Sequence, residues 1–272
     1  MNCLLTGGTG IVGSHIIFEW LHKAIVEKTV NHLFLVIRDN EKSAEDRLLA
    51  ILKDASRPEF LNNFTLEACL EKITVISHDL DTINKAVLDN YSFNTVIHCA
   101  GSTSLLHTTD SKEKVHTQNY LVTKNLLEEL PTSVNRFLYI RLIDLPFFET
   151  PKFDVFYSWA MFLDKYATKS KDKFRIWIDK ESGLNIVPVD FVSKAILYAF
   201  LNPTIKELNI VNPKQILHKN YVGDVLESFK ISSYEYVSEK PEDLKLDITL
   251  GVHDNFMNLI DFSVEKKFRK SY

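Results

Sequence analysis

The first half of the chain alternates short apolar runs with longer segments whose apolar residues recur every three or four positions. Short apolar runs are typical of buried strands, and the longer periodic segments are typical of amphipathic helices. Five strands are predicted, at Asn2–Leu5, Leu33–Ile37, Ile73–Ile76, Thr95–Ala100 and Phe137–Ile140. Four helices are predicted between them, at Ile11–Val26, Ala44–Asp54, Ile83–Tyr91 and Lys114–Leu130. This alternation predicts an α/β fold with a doubly wound parallel sheet covered by helices on both faces.

The second half has a less regular pattern. Strands are predicted at Phe174–Ile178 and Glu207–Val211, and helices at Val155–Tyr166, Phe191–Leu201, Val222–Phe229 and around His253–Phe268. A polar, Lys/Glu-rich stretch, Ser232–Lys245, precedes the last helix. No flexible linker separates the two halves. We therefore predict a Rossmann core at residues 1–145, with residues 146–272 supplying remaining core elements and a small C-terminal substrate lobe of one integrated unit.

Composition narrows the functional classes. The net charge of −4 gives no basic footprint, so nucleic acid is not an expected partner. No apolar stretch reaches the roughly 18–20 residues that span a bilayer, so we expect no membrane span and a cytoplasmic protein. Cys3, Cys69 and Cys99 show no paired spacing and are expected to pack as small apolar side chains. No metal-ligand motif occurs, and the oligomeric state stays open.

The strongest motif is LLTGGTGIVGSH at residues 4–15, which holds four of the chain's eight glycines. A predicted strand enters it and an apolar-periodic helix leaves it, which is the context of a dinucleotide-binding turn. In such a turn Gly7 permits the tight bend, Gly10 lets the backbone approach a pyrophosphate, and Gly13 lets the helix pack on the strand. The helix N-terminus then offers N–H groups to the anion. A ligand-free glycine turn is the alternative; we predict dinucleotide binding.

Other stretches extend this motif into a family resemblance. TGGTGIVG resembles the signature of extended short-chain dehydrogenases/reductases (extended SDRs), and LFLVIRDN, ISHDL, HCAGST and TQNYLVTKNLLE resemble further segments of that superfamily. LNIVPVDFVSKAI, residues 184–196, is similar to a Pro-Val-Asp-(Tyr/Phe)-Val segment of thioester reductases and fatty acyl-CoA reductases, the male-sterility-type NAD-binding branch. The resemblance implies a cofactor site formed by Thr6, Gly7, Thr9, Gly10, Ile11, Val12, Gly13, Arg38, Asp79, Leu80, Ala100, Gly101 and Ser102.

The end of the second predicted strand bears on which nicotinamide cofactor binds. An acidic residue there would bind the ribose hydroxyls, whereas an arginine would pair with a 2′-phosphate. Arg38 comes first and Asp39 follows, which favours NADP(H) over NAD(H). Asp79 is expected either beside the adenine or in a backbone hydrogen bond after its strand. Asp190 is expected to cap a helix.

The residues that would transfer a proton are harder to identify. Reduction in this superfamily uses a tyrosine whose pKa is lowered by a lysine four residues later. The chain contains this spacing twice, at Tyr120–Lys124 on a predicted helix and at Tyr236–Lys240 in the polar stretch. Neither follows the fifth strand at the distance seen in relatives. We interpret both as chance matches, so the catalytic residues stay unknown.

A possible reason lies in RFLYIRLIDLPF, residues 136–147. Two strand-like pieces, Phe137–Ile140 and Leu142–Leu145, meet there with only Arg141 between them and no turn residue before Pro146. In relatives the connecting segment carries the Ser/Thr, the Tyr and the Lys. Either a segment is missing from this sequence near 140–141, and again near 148–152, or a true deletion has left a nucleotide-binding fold without proton-transfer residues.

The resemblance implies an NADP(H)-dependent reductase that converts an acyl thioester, carried on CoA or on an acyl carrier protein, to an aldehyde or alcohol. An NAD-dependent sugar-nucleotide epimerase or dehydratase on the same scaffold is a second hypothesis, disfavoured by the PVDFV segment and by Arg38. A non-catalytic nucleotide-binding protein is the third, and it is favoured if the chain is continuous at 140–141. Family resemblance alone does not decide among them, because one scaffold hosts many reactions.

Overall fold

The computed structural model describes residues 1–55, 57–101, 113, 115–140, 174–177, 183–184, 187–214 and 216–237. The chain divides into two compact units. The first contains Met1–Arg141 and Val187–Ile210, and the second contains the described parts of Leu142–Ile186 and Val211–Tyr272. The single boundary drawn from the sequence at 145/146 stays a prediction.

The first unit alternates strands and helices as its sequence pattern predicts. Its strands are β1 Cys3–Thr6, β2 Leu33–Ile37, β3 Ile73–Ser77, β4 Thr95–His98 and β5 Arg136–Tyr139. Its α-helices are α1 Ile11–His22, α2 Ala44–Leu52, α3 Leu66–Leu70, α4 Lys85–Leu88, α5 Val122–Glu129 and α6 Val189–Leu201. Wider π-helical turns, Lys23–Glu27 and Thr117–Leu121, continue α1 and precede α5, and a 3₁₀ turn covers Glu59–Asn63.

The five strands form one parallel sheet in the order β3-β2-β1-β4-β5. The chain builds outward from β1 in one direction through β2 and β3, and then returns to the other side of β1 with β4. Thr6 at the end of β1 is in register with Val36 of β2 and with His98 of β4. The strand order reverses between β1 and β4, which is where an open α/β sheet leaves a crevice at its carboxyl edge.

Apolar side chains fill both faces of the sheet because neighbouring residues on a strand point to opposite sides. On β2, Leu33, Leu35 and Ile37 belong to one buried cluster, whereas Phe34 and Val36 belong to the other. Helices α1, α2 and α6 contribute to the first cluster, and α4 and α5 contribute to the second. Helices therefore cover both faces, which confirms the predicted doubly wound parallel sheet.

The guanidinium of Arg136 on β5 donates hydrogen bonds to carbonyl groups at the carboxyl end of α6. Its Nη1 donates to the carbonyl of Phe200 at 2.8 Å, and its Nη2 donates to the carbonyls of Ala199 at 2.6 Å and Asn202 at 3.1 Å. These carbonyls lie in the last turn of the helix or just beyond it, where no further helical N–H follows. A positive charge at this end also complements the helix dipole. We name these contacts the Arg136 clamp.

The described part of the second unit is built from short elements. Strand β6, Phe174–Trp177, pairs in parallel with β9, Tyr234–Val237, and β7, Gly183–Leu184, pairs antiparallel with β8, Ile216–Leu217. Helix α7, His218–Ser228, follows β8 directly. Val222 and Leu226 of this helix form a small buried apolar cluster with Ile231, which follows the helix. No helix among the residues that the structure describes is long and apolar enough to cross a membrane.

Two local predictions were wrong, and one strand was not predicted. Residues 207–211 form no strand; most of them are exposed, and a strand requires a partner ladder. Strand β9 lies inside the polar stretch Ser232–Lys245, for which no strand was predicted. Helix α6 begins at Val189 after Pro188, so Asp190 lies in its first turn and does not cap it. The helices predicted at 155–166 and 253–268 lie outside the described residues.

Candidate functional site

The turn after β1 has the geometry that its glycines predict. Gly7 has φ +73°, and a Cβ on it would lie 2.5 Å from the backbone N of Ala100. A Cβ on Gly13 would lie 2.2 Å from the carbonyl oxygen of Gly7. Neither position accepts a larger residue without backbone movement. The turn thus brings β1, the start of α1 and the end of β4 into direct backbone contact.

The open side of this turn faces solvent. Thr9, Gly10 and Ile11 are exposed, whereas Val12 is half-buried and Gly13 is buried. Gly10 occupies the N-cap position of α1, and a Cβ on it would meet only the Gly7 carbonyl, at 3.4 Å. An exposed helix N-terminus preceded by a glycine turn offers N–H donors and a positive dipole end. These residues fit the pyrophosphate of a dinucleotide.

The end of β2 supplies positive charge beside the turn. Arg38 and Asp39 are exposed. The carboxylate of Asp39 accepts the N–H of Ala44 at 2.7 Å on one oxygen and the hydroxyl of Ser77 at 2.6 Å on the other. The Ser77 hydrogen bond, with the one from Ala44, lowers the pKa of Asp39. Asp39 is therefore an ionised loop anchor, held by donors of its own chain.

A second arginine joins this loop to the glycine turn. Arg47 in α2 donates from Nη1 to the carbonyl of Arg38 at 2.8 Å and from Nη2 to the hydroxyl of Thr9 at 2.9 Å. Arg47 thus joins the backbone of Arg38 to the exposed Thr9. Its guanidinium places a positive charge beside the anion-binding turn, which favours an anionic ligand.

The third strand ends in a tight polar turn. The carboxylate of Asp79 accepts the N–H of Asp81 at 3.2 Å, which is the backbone hydrogen bond expected as one of its two roles. Leu80 packs against the second apolar cluster of the sheet. A contact of Asp79 or Leu80 with an adenine ring stays a prediction.

The fourth strand ends against the glycine turn. Ala100 is half-buried beside Gly7, and Gly101 is exposed. A Cβ on Gly101 would lie 3.1 Å from the side-chain oxygen of Asn119, so the two residues are in close contact. Ser102 lies outside the described residues. The structure thus brings Ala100 and Gly101 to the crevice between β1 and β4, where sequence reasoning expected them.

Behind the crevice, a buried histidine connects the turn to helix α5. The ring Nδ1 of His98 lies 2.6 Å from the hydroxyl of Thr6, and its Nε2 lies 2.8 Å from the hydroxyl of Thr123. His98 and Thr6 are fully buried. Burial lowers the pKa of His98 to about 4, so the ring is neutral near neutral pH.

Neither Tyr-x-x-x-Lys match has the features of a proton donor. Tyr120 lies in the π-helical turn before α5 with 56% of its surface exposed, and Lys124 lies 3.8 Å from the carboxylate of Glu128. Tyr236 lies on strand β9, where burial raises its pKa, whereas catalysis needs it lowered. Lys240 lies outside the described residues. Among the described residues no catalytic acid is assigned.

Burial raises the pKa of all three cysteine thiols. Burial raises the pKa of Cys99 to about 12 and also raises that of Cys3, so neither thiol ionises near neutral pH. Cys69 is buried as well, and all three cysteines are free. Within the described ranges, no group of His, Cys, Asp and Glu side chains could hold a metal ion.

Sequence reasoning missed three residues of this region. The sequence could have indicated Arg47, since an arginine in the first helix after the β2 loop can reach back to a phosphate. The sequence does not show, however, in which direction that side chain extends. His98 and Thr123 looked like ordinary members of a strand and a helix. The bond from His98 to Thr6 spans 92 residues and the bond from His98 to Thr123 spans 25, and only the fold brings these groups together.

Comparison with known proteins covers the same region. The family model of the male sterility protein matches residues 5–140, which contain the parallel sheet and all the candidate cofactor residues. No curated protein sequence matches the chain significantly.

Solved structures share the fold at low sequence identity. The terminal R domain from the myxalamid PKS-NRPS biosynthetic pathway has a TM-score of 0.63 and 14% identity, over 95% of this chain and 77% of that one. The reductase (R) domain of a nonribosomal peptide synthetase from Mycobacterium tuberculosis has a TM-score of 0.63 and 16% identity, over 92% and 76%. UDP-glucuronic acid 4-epimerase from Bacillus cereus, in complex with NAD, has a TM-score of 0.57 and 14% identity, over 92% and 90%.

Proposed function

The chain belongs to the male sterility protein family, and from that premise we propose that it is an NADP(H)-dependent reductase of an acyl thioester. Membership of this family is consistent with the resemblance of the chain's motifs to the thioester reductase branch of the extended SDRs. A nicotinamide dinucleotide is accordingly its cofactor, and oxidation or reduction is its class of chemistry. The preference for NADP(H), the thioester substrate and the product are the proposed steps beyond the family.

One observation carries the preference for the phosphorylated cofactor. Both carboxylate oxygens of Asp39 accept hydrogen bonds from the protein, whereas Arg47 donates to Thr9 of the turn and to the carbonyl of the exposed Arg38. A ribose with free hydroxyls would need an acidic acceptor at this position. A 2′-phosphate would instead pair with the guanidinium of Arg47 and, in this proposal, with that of Arg38. The arrangement supports NADP(H) as the cofactor and Asp39 as a loop anchor.

The bound cofactor would supply hydride to the substrate carbonyl. The chain's own described residues would bind and orient it: the turn at 7–13 would hold the pyrophosphate, and Ala100 with Gly101 would border the ribose and nicotinamide end. The thioester substrate is proposed from two lines of support, the PVDFV segment and the likeness of the fold to reductase domains of peptide synthetases. The thioester would be carried on CoA or on an acyl carrier protein.

Cofactor preference is tested by titrating the purified chain with NADPH and NADH and following nucleotide fluorescence. We expect Arg47→Ala and Arg38→Ala each to weaken NADPH binding by about ten- to a hundredfold and to change NADH binding much less. Arg57→Ala is the matched control, because this arginine bonds to Leu52 and Asn62 and takes no part in the candidate site. Equal losses for both nucleotides would contradict the assignment of the 2′-phosphate.

Turnover is tested with acyl-CoA substrates of increasing chain length and with an acylated carrier protein, by loss of NADPH and detection of aldehyde or alcohol. Product formation supports the reductase. NADPH binding without product from any thioester would contradict it and favour the non-catalytic hypothesis. Tight NADH binding with conversion of a sugar nucleotide would favour the epimerase hypothesis.

A further inference from the structure

Five polar groups form a continuous chain of hydrogen bonds behind the crevice between β1 and β4. The N–H of Ala100 points at the hydroxyl of Thr6 at 3.4 Å, and that hydroxyl lies 2.6 Å from Nδ1 of His98. Nε2 of His98 lies 2.8 Å from the hydroxyl of Thr123. The Thr123 hydroxyl donates in turn to the carbonyl of Asn119 at 2.7 Å. The chain therefore begins at the loop after β4 and ends at the π-helical turn before α5.

The direction of every hydrogen bond in this chain follows from its last group, the Asn119 carbonyl. A carbonyl only accepts, so the single proton of the Thr123 hydroxyl is committed to Asn119. Nε2 of His98 must then donate to that hydroxyl, and the neutral ring has Nδ1 as an acceptor. The Thr6 hydroxyl therefore donates to Nδ1 and leaves its oxygen free to accept the N–H of Ala100. One tautomer of His98 satisfies all the bonds at once.

The two ends of this chain touch the same stretch of backbone. Ala100 lies against Gly7 of the cofactor turn, where a Cβ on Gly7 would be 2.5 Å from the Ala100 nitrogen, and the residue after it, Gly101, packs on the side chain of Asn119. Movement of α5 would thus be transmitted to Gly101 by contact and to Thr6 by hydrogen bonds. Buried networks with every member satisfied make a structure rigid and specify one arrangement.

We propose that His98 is a positioning residue for the cofactor: with Thr6 and Thr123 it holds the backbone of Ala100 and Gly101 at the spacing from Gly7 that the nucleotide requires. The inference rests on the proposed function only in taking a nicotinamide dinucleotide as the ligand of the turn. His98 is buried and does not itself contact the crevice, so it acts through Thr6 and through helix α5. The proposal requires the His98 tautomer that carries its proton on Nε2.

The chain offers a matched control for the test. His32 and Thr74 make the same kind of bond, with Nε2 of His32 2.7 Å from the Thr74 hydroxyl, at the opposite, amino-terminal end of the same sheet. Thr123→Val and Thr74→Val each remove one hydroxyl from a histidine partner and keep the side-chain shape. Thr123 is the better target than Thr6, because Thr6 also belongs to the candidate cofactor site.

The experiment measures NADPH affinity, thermal stability and the ring nitrogens of His98 in the purified chain. We expect Thr123→Val to raise the Kd for NADPH about five- to tenfold and Thr74→Val to change it less than about twofold; both variants lose stability, Thr123→Val more, because its buried hydroxyl also bonds to Asn119. Nitrogen-15 NMR should find the wild-type His98 proton on Nε2. Equal effects of the two variants on Kd, or a proton on Nδ1, would overturn the proposal. A wild-type chain that binds no nicotinamide nucleotide would instead overturn the proposed function, and this inference with it.

Discussion

Removal of the Arg136 clamp is the sharpest test of what holds α6 against the sheet. Arg136→Met keeps the apolar stem of the side chain and removes the guanidinium with its bonds to the Phe200, Ala199 and Asn202 carbonyls. The carbonyl of Ala199 would still accept the N–H of Asn202. The carbonyl of Phe200 depends more heavily on the arginine.

The magnitude follows from these contacts. A hydrogen bond from a charged group contributes about 1.5–3 kcal/mol, and bonds that share one guanidinium are not additive. The positive charge at the helix end contributes up to about 1 kcal/mol more. We therefore expect Arg136→Met to lower the free energy of unfolding by about 2–4 kcal/mol. That loss corresponds to a decrease in Tm of roughly 4–16 °C for a unit of this size.

Arg136→Lys separates charge from geometry. A lysine keeps the positive charge at the helix end but makes a single-point contact in place of the planar fork, so we expect about half of the loss. Lys124→Met is the control, since it also replaces a positive charge by methionine, at an exposed ion pair with Glu128. The control is expected to change stability by less than about 0.5 kcal/mol.

Urea denaturation followed by circular dichroism measures the three free energies of unfolding. Hydrogen exchange of the α6 amides then shows whether the loss is local to this helix. An Arg136→Met variant within about 0.5 kcal/mol of the wild type would refute the reasoning. So would an Arg136→Lys variant as unstable as the methionine variant, because the retained charge would then contribute nothing.

Three further predictions concern the first unit. Gly13→Ala is expected to lower Tm and to abolish NADPH binding, because its Cβ would lie 2.2 Å from the Gly7 carbonyl oxygen. Gly10→Ala should instead fold normally and weaken NADPH binding by about tenfold or more. Burial raises the pKa of Glu19, so the folded state binds that proton more tightly than the unfolded state and stability falls as pH rises through the folded pKa. Glu19→Gln should therefore gain stability relative to the wild type as the pH rises above 4.5, the ordinary pKa of the carboxyl, and through the raised pKa of the folded state, measured by urea denaturation. The buried indole N–H of Trp20 has no hydrogen-bond partner among the residues that the structure describes, so Trp20→Phe should destabilise the chain by only about 1–2 kcal/mol, against about 3–5 kcal/mol for Trp20→Ala.

Each of these predictions has a result that would contradict it. Normal NADPH binding by Gly13→Ala would mean that the turn relaxes without loss of function. Parallel stability curves for wild type and Glu19→Gln would mean that the ion pair with Lys194, at 3.9 Å, fully compensates for burial. Equal losses for Trp20→Phe and Trp20→Ala would mean that the aromatic contact with Phe200 contributes nothing.

Much of the fold could be predicted because its signals are local. Strand β2 was predicted with its observed bounds, since five consecutive apolar residues between polar ones leave few alternatives. The glycine turn was predictable because Gly7 and Gly13 occupy positions that no other residue fits. Strand β9 escaped prediction because four alternating residues carry too little pattern, and its pairing with the distant β6 stabilises it.

The candidate site divides in the same way. Residues on one turn, such as Gly10, could be assigned from spacing alone. The hydrogen bonds of Asp39 with Ser77 and Ala44 could not be predicted, because they depend on how β2, β3 and α2 pack together. The chemistry expected after β5 falls on Arg141 and the residues that follow, outside the described part of the chain, so the two explanations for RFLYIRLIDLPF stay predictions.

The central position of β1 has a consequence for how the protein is made. Its partner β2 follows after one helix, but His98 on β4, its other partner, is synthesised 92 residues after Thr6. Contacts so distant in sequence form late in folding. A nascent chain on the ribosome therefore has the residues of its glycine turn early and still lacks the second wall of the crevice. We expect nucleotide to stabilise the growing chain only after β4 has emerged.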